Sequence, residues 1–180
     1  MFCWYEGASV CCVYLEDVVW TKDASGPSQS SLDQFRQSAW FTRGWALQEL
    51  LAPENVPFYD QSWTFIGPKT SLSAKIAAVT GINEELVLRP AEIFYSASHT
   101  QKMSWMPQRR TTRAEDIAYC LLGLFKVNIP LLYGEGGERA FTRLQMEIIR
   151  KSDDESLFAW QGSMIGDYGM LASSRRLFAE

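Results

Sequence analysis

"SAWFTRGWALQELLAPENVPFYD", residues 38–60, contains a change of period that fixes the kind of fold. Leu47, Leu50 and Leu51 fall within one sector of about 100° when successive residues are set 100° apart, the pattern of a helix with one apolar face. Pro53 cannot continue that helix, and "VPFYD" (56–60) then reads as a short strand punctuated by Pro57. Upstream, helical patterning begins at Leu32 and is expected to break into two pieces at Arg43–Gly44. Earlier still lies "ASVCCVYLEDVV" (8–19), whose apolar character and short length favour a buried strand over a helix. A Ser/Gly/Pro loop, "KDASGPSQSS" (22–31), separates the two segments. Strand, helix and strand in this order predict part of an α/β layer.

Glu49 is the residue this pattern leaves unexplained. The same helical wheel places Trp45, Gln48 and Glu49 opposite the leucines. Glu49 could belong to a plain helix surface, pair with Arg43, or work in a pocket. In a pocket, an aromatic wall would raise a carboxylate's pKa or stack on a ligand. The residues alone leave all three readings open.

After Trp63 the character becomes mainly helical. "TSLSAKIAAVTGI" (70–82) sets Leu72, Ile76 and Val79 on one face, Gly81 is a natural stop, and Asn83 is placed to cap "EELVL". Thr112 followed by Glu115 matches a capping box opening "RAEDIAYCLLGLF" (113–125), with Ile117, Leu121, Leu124 and Phe125 expected in the core. "ERAFTRLQMEIIRKS" (138–152) repeats the amphipathic pattern with Phe141, Leu144, Ile148 and Ile149 inward. "YGEGGERAF" (133–141) lacks the lysine of a phosphate loop and reads as a turn feeding that helix. "SLFAW" (156–160) is expected to be a short strand.

Composition narrows the function classes. The chain has 180 residues, 47% hydrophobic and 21% charged, enough for one sizeable domain or a domain with an extension. Its net charge of −4 argues against a general nucleic-acid binder. No apolar run approaches the roughly 20 residues of a membrane span, and no signal-peptide pattern opens the chain, so a cytoplasmic protein is expected. Lys102, Arg109, Arg110 and Arg113 form the densest basic run and are expected to be a solvated face, with an anion site as the other reading. Cys3, Cys11, Cys12 and Cys120 show no metal-ligand spacing and read as reduced core thiols; no metal is expected. His99, the sole histidine, is expected in a polar loop, which disfavours histidine-based hydrolysis. The seven tryptophans are expected chiefly to anchor the core.

Several motifs taken together resemble the heterokaryon-incompatibility (HET) domain proteins of filamentous fungi. They are "MFCWYEGASVCCVYLEDV", "SAWFTRGWALQELLAPENVPFYDQSW", "IGPKTSL", "KMSWMPQRRTTRAEDIAYCLLGLFKVNIPLLYGEGGERAFTRLQMEII" and "SDDESLFAW". The resemblance implies that residues 1–62 are the C-terminal part of a HET domain, 63–160 a helical HET-associated region, and 161–180 a C-terminal extension. It also implies an N-terminally truncated domain, because family members carry further strands ahead of the segment that begins here. "GMLASSRRLF" (169–178) resembles a family motif but has Arg175 where proline is usual.

The implied fold is a partial TIR-like or flavodoxin-like α/β layer followed by helices. The implied role is non-self recognition leading to programmed cell death, a form of innate immunity, with protein partners or self-association. Through a distant similarity of the family to TIR domains, "SAWFTRGWALQEL" (38–50) would place Glu49 as the catalytic carboxylate beside the nicotinamide ribose. Trp40, Arg43, Trp45 and Gln48 would then help to bind NAD, which enters as substrate, with no resident cofactor. The competing implication is a non-enzymatic interaction module, or an inactive fragment of a HET protein.

Overall fold

Successive turns, short strands and helices give a mixed α/β structure with small sheets and several helices in a computed structural model, which describes residues 2–24, 26–88, 97–158 and 171–172. The chain divides into two compact units, Cys3–Phe94 and Met1–Phe2 with Tyr95–Glu180. The short helix α1 (Phe2–Glu6) opens the chain.

The first unit is organised by a sheet of three strands in the order β1 (Val13–Tyr14), β4 (Pro57–Tyr59), β5 (Phe65–Pro68). Strands β1 and β4 are parallel, with Val13 opposite Phe58, whereas β4 and β5 are antiparallel. A parallel pair needs a long crossover. Here it carries the ribbon β2 (Lys22–Asp23) and β3 (Gly26–Pro27), then α2 (Gln29–Gln37), a 3₁₀ turn (Ala39–Thr42) and α3 (Ala46–Leu51). Leu47, Leu50 and Leu51 are buried as the wheel requires, each contributing about 2 kcal/mol of apolar burial.

Two features of this unit differ from expectation. The run 8–19 forms a strand only at Val13–Tyr14, because the Glu16–Asp17 end turns away while Leu15 and Val18 still reach the core. The helical stretch breaks first at Ser38, whose hydroxyl accepts from the Trp40 N–H, and the chain resumes as α3 only at Ala46.

Downstream, α4 (Lys69–Thr80) ends at Gly81, whose φ of 70° is left-handed and suits glycine. Asn83 accepts from the Glu85 N–H and so caps α5 (Glu84–Leu88). Buried Asp60 ties the end of β4 together by accepting from the N–H groups of Trp20, Ser62 and Thr64. Burial alone would raise its pKa, but these donors outweigh it and hold the carboxyl below the usual range. Buried Lys69 donates to the carbonyls of Leu50 and Pro53 (3.2 and 2.6 Å), satisfying acceptors left open where α3 ends. Burial pushes its ammonium down to about 8.

The second unit contains α6 (His99–Ser104), α7 (Asp116–Tyr119), α8 (Gly137–Lys151) and a 3₁₀ turn (Glu155–Phe158). Ile117, Leu121, Leu124, Phe125, Phe141, Leu144 and Ile148 are core residues as expected, whereas Ile149 is exposed. The capping box is not formed. Glu115 is buried and accepts instead from the N–H groups of Gly134 and Gly136, in the turn that feeds α8. With its own N–H, these donors hold the Glu115 carboxyl below its ordinary range.

Half of the basic run departs from a solvated face, since Lys102 and Arg109 are buried while Arg110 and Arg113 are exposed. Arg109 donates to the Trp105 carbonyl (3.1 Å), and burial lowers its pKa to about 10. His99 is buried at the start of α6, not in a polar loop; its N–H donates to Asp154, and its Nδ1 lies 3.5 Å from the same carboxylate. "SLFAW" is a 3₁₀ turn through Phe158, and residues 159–160 lie outside the described residues, as does nearly all of the expected extension 161–180. Of the cysteines, Cys120 is buried, Cys11 is half-buried, and Cys3 and Cys12 are exposed, so a core role fails for the last two. Trp20, Trp40 and Trp105 anchor the core, but Trp4 and Trp63 are exposed.

Candidate functional site

Alongside β1 the first unit opens into a cavity of about 570 Å³, lined from Cys12 just before the strand to Asp17 beyond it. One wall comes from the extended segment beginning at Cys12. Its side chains alternate through Leu15, so Cys12 and Tyr14 face the cavity while Val13 and Leu15 enter the core, and Glu16 and Asp17 join the lining from the turn that follows. The other wall comes from the crossover and holds Trp40, Arg43 and Glu49.

Asp17 links the walls. Its two carboxylate oxygens accept from the Ser38 hydroxyl and the Ala39 N–H (2.7 and 2.6 Å), fixing the start of the 3₁₀ turn that carries Trp40. Trp40 is buried and makes T-shaped contacts with Phe41 and Phe58, with ring centroids 5.2 and 5.8 Å apart. Tyr14 is held on the opposite side by its hydroxyl, which donates to the Gln61 carbonyl, and by stacking on Trp63 at 4.7 Å. Trp63 adopts a φ of 59°, unusual for a bulky residue, in the loop closed by Asp60.

Glu49 sits half-buried in the first turn of α3, and the Tyr5 hydroxyl donates to its Oε1 at 3.4 Å. Burial, and then the Glu49 charge, push the Tyr5 phenol up; the same two causes raise the Cys11 thiol.

Of the residues singled out from sequence, Glu49, Trp40 and Arg43 thus meet at one cavity, while Trp45 and Gln48 do not line it. Gln48 is buried and Trp45 half-buried at the start of α3, so the second face of this short helix is covered at Gln48 instead of forming one continuous surface. Cys12, Tyr14, Glu16 and Asp17 were not anticipated as site residues. A signal for them existed in the strand's alternation and in a pair of acids at its carboxyl end.

Elsewhere, buried Arg109 and Lys102 offer no open anion site. Among the described residues no group of three or more His, Cys, Asp and Glu side chains is placed to hold a metal, and no helix is long and apolar enough to cross a membrane.

An α/β unit with an acid- and aromatic-lined cleft, joined to a helical unit, is the structural setting for the comparisons with known proteins. They support a class first, that of the fungal heterokaryon-incompatibility proteins. The particular relative is the vegetative incompatibility protein HET-E-1 of Podospora anserina, 46% identical over 148 residues that cover 82% of this chain. The matched segment is 11% of that relative's length. Residues 139–177 match a family described as a domain of unknown function, DUF8212. No solved structure matches the chain.

Proposed function

We propose that this chain is the part of a fungal non-self-recognition protein that triggers programmed cell death, and that its cleft cleaves NAD in the manner of TIR domains. The meeting of Glu49, Trp40 and Arg43 at one cavity carries this reading. In the reaction the bond between the ribose C1′ and the nicotinamide nitrogen breaks, and its electron pair returns to the ring. Water adds hydroxide to C1′ and releases a proton. The carboxylate of Glu49 stabilises the positive charge that develops on the ribose, Trp40 supplies a rigid wall, and Arg43 meets the pyrophosphate.

The decisive experiment follows NAD loss and killing of fungal cells by this chain, alone and within a longer incompatibility protein. Glu49→Gln is expected to lower turnover about a hundredfold or more without unfolding the protein. Killing without NAD loss, or unchanged turnover in the variant, would sink the catalytic role.

A second reading, a non-enzymatic partner-binding or self-association module, is favoured by one feature of the second unit. Leu131, Leu132 and Tyr133 are exposed together on a loop whose neighbouring backbone is pinned by Tyr119 and Glu115. Loss of killing on Leu131→Ser/Leu132→Ser, with NAD loss intact or absent, would support that reading.

A further inference from the structure

We infer that the cleft selects a planar aromatic cation, and that Glu16 is a specificity-determining residue for its positive charge; this rests on reading the cavity as the ligand site. The walls are two aromatic side chains whose positions are set before any ligand arrives. Trp40 is locked by Phe41 and Phe58, and Tyr14 by Trp63 and the Gln61 carbonyl. The same cavity is lined by three carboxylates, Glu16, Asp17 and Glu49, against the single guanidinium of Arg43.

That charge balance does not suit a ligand that is anionic throughout. A polyphosphate could meet Arg43 at one point and would be repelled elsewhere along the lining. A ring bearing a permanent positive charge is instead attracted both by the π faces and by the carboxylates. Asp17 spends its hydrogen bonds on the protein, so its role is to hold Trp40 and contribute charge. Glu49 accepts a hydrogen bond from the Tyr5 hydroxyl. Glu16 lies exposed in the turn that follows Tyr14 and lines the same cavity, where its carboxylate can answer the charge of a bound ring.

The consequence for NAD chemistry is directional. The nicotinamide ring is a pyridinium before the glycosidic bond breaks and neutral afterwards. A cleft that reads ring charge holds the substrate end and releases the neutral product.

The test measures binding to the full chain by calorimetry at low salt, using 1-methylnicotinamide, neutral nicotinamide and the non-aromatic cation tetramethylammonium. The methylated cation is expected to bind about tenfold more tightly than either control. Glu16→Gln should shrink its advantage over nicotinamide about fivefold while leaving nicotinamide binding unchanged. Equal affinity for charged and neutral rings, or no binding of the cation at millimolar concentration, overturns the inference. Tetramethylammonium binding as tightly as the ring overturns its aromatic part, and an unchanged ratio in Glu16→Gln removes the role of Glu16. Charge selection without NAD loss would remove the catalytic proposal and leave this one standing; NAD loss without charge selection would do the reverse.

Discussion

Glu49 and Glu115 are the same residue placed in two different kinds of environment. In the first unit Glu49 borders an open cleft, with a phenol at 3.4 Å as its hydrogen-bond donor. In the second unit Glu115 is enclosed and collects the N–H groups of Gly134 and Gly136 at 2.8 and 3.0 Å. One carboxylate is placed where a ligand could reach it. The other completes the hydrogen bonding of a turn whose glycines, at φ values of 99° and 86°, have no regular partner for their N–H groups. Charge in the second unit is thus largely structural: Glu135 pairs with Arg143 and accepts from Tyr119, and Arg143 also donates to the Pro130 carbonyl.

The contrast can be broken experimentally. The largest effect is expected from Glu115→Ala, which strands two backbone donors; the melting temperature should fall by roughly 8 °C in calorimetry. A fall of under about 2 °C would mean that the loop before α8 does not depend on this carboxylate.

Lys69→Met tests the one deeply buried cation of the first unit described above, and should lower the melting temperature by about 4 °C near neutral pH through loss of the α3 carbonyl contacts. Its pH signature is more discriminating. The folded-state pKa of about 8 lies below the ordinary 10.5, so between these values the unfolded chain holds a proton that the folded chain has lost. Wild type should therefore gain stability relative to the variant as pH rises from about 8 to 10.5. A flat difference in paired urea titrations would exclude a buried Lys69.

Asp154 gives the opposite end of the scale. Burial raises its pKa, but the Ser156 and His99 donors outweigh it and hold the carboxyl at about 2, against an ordinary 3.8. The stability this contributes is present above 3.8 and is lost as pH falls toward 2. Asp154→Asn should cost about 3 °C at neutral pH, with the difference from wild type closing across that acid window. The smallest effect is expected for Glu49→Gln, within about 0.5 kcal/mol of wild-type stability in urea unfolding. A loss as large as that of Glu115→Ala would show that Glu49 too is structural.

Much of this arrangement was legible before folding, and the failures have a common cause. Local signals gave Gly81 as the end of α4, Asn83 as a cap, the "VPFYD" strand and the leucine face of α3, because each depends on neighbours a few residues away. The capping-box pattern at Thr112 and Glu115 was equally local, yet Glu115 found better donors 19 and 21 residues downstream. Lys102 and Arg109 look like surface cations by type, and only the packing around them, such as the Trp105 carbonyl beside Arg109, shows otherwise. At the cleft, sequence singled out Glu49, Trp40 and Arg43 but not the opposite wall.

What the sequence determined by itself is therefore the alternation of strand and helix, the apolar faces and the resemblance to incompatibility proteins, all carried by residue type and short spacing. Tertiary structure decided which charges are buried and which line a cavity. That decision required the parallel pairing of Val13 with Phe58, which sets Cys12, Tyr14 and Glu16 opposite Trp40 and Glu49. Residues 24 to 37 positions apart share no local signal; they face the same cavity because β1 and β4 lie side by side and the crossover between them folds back.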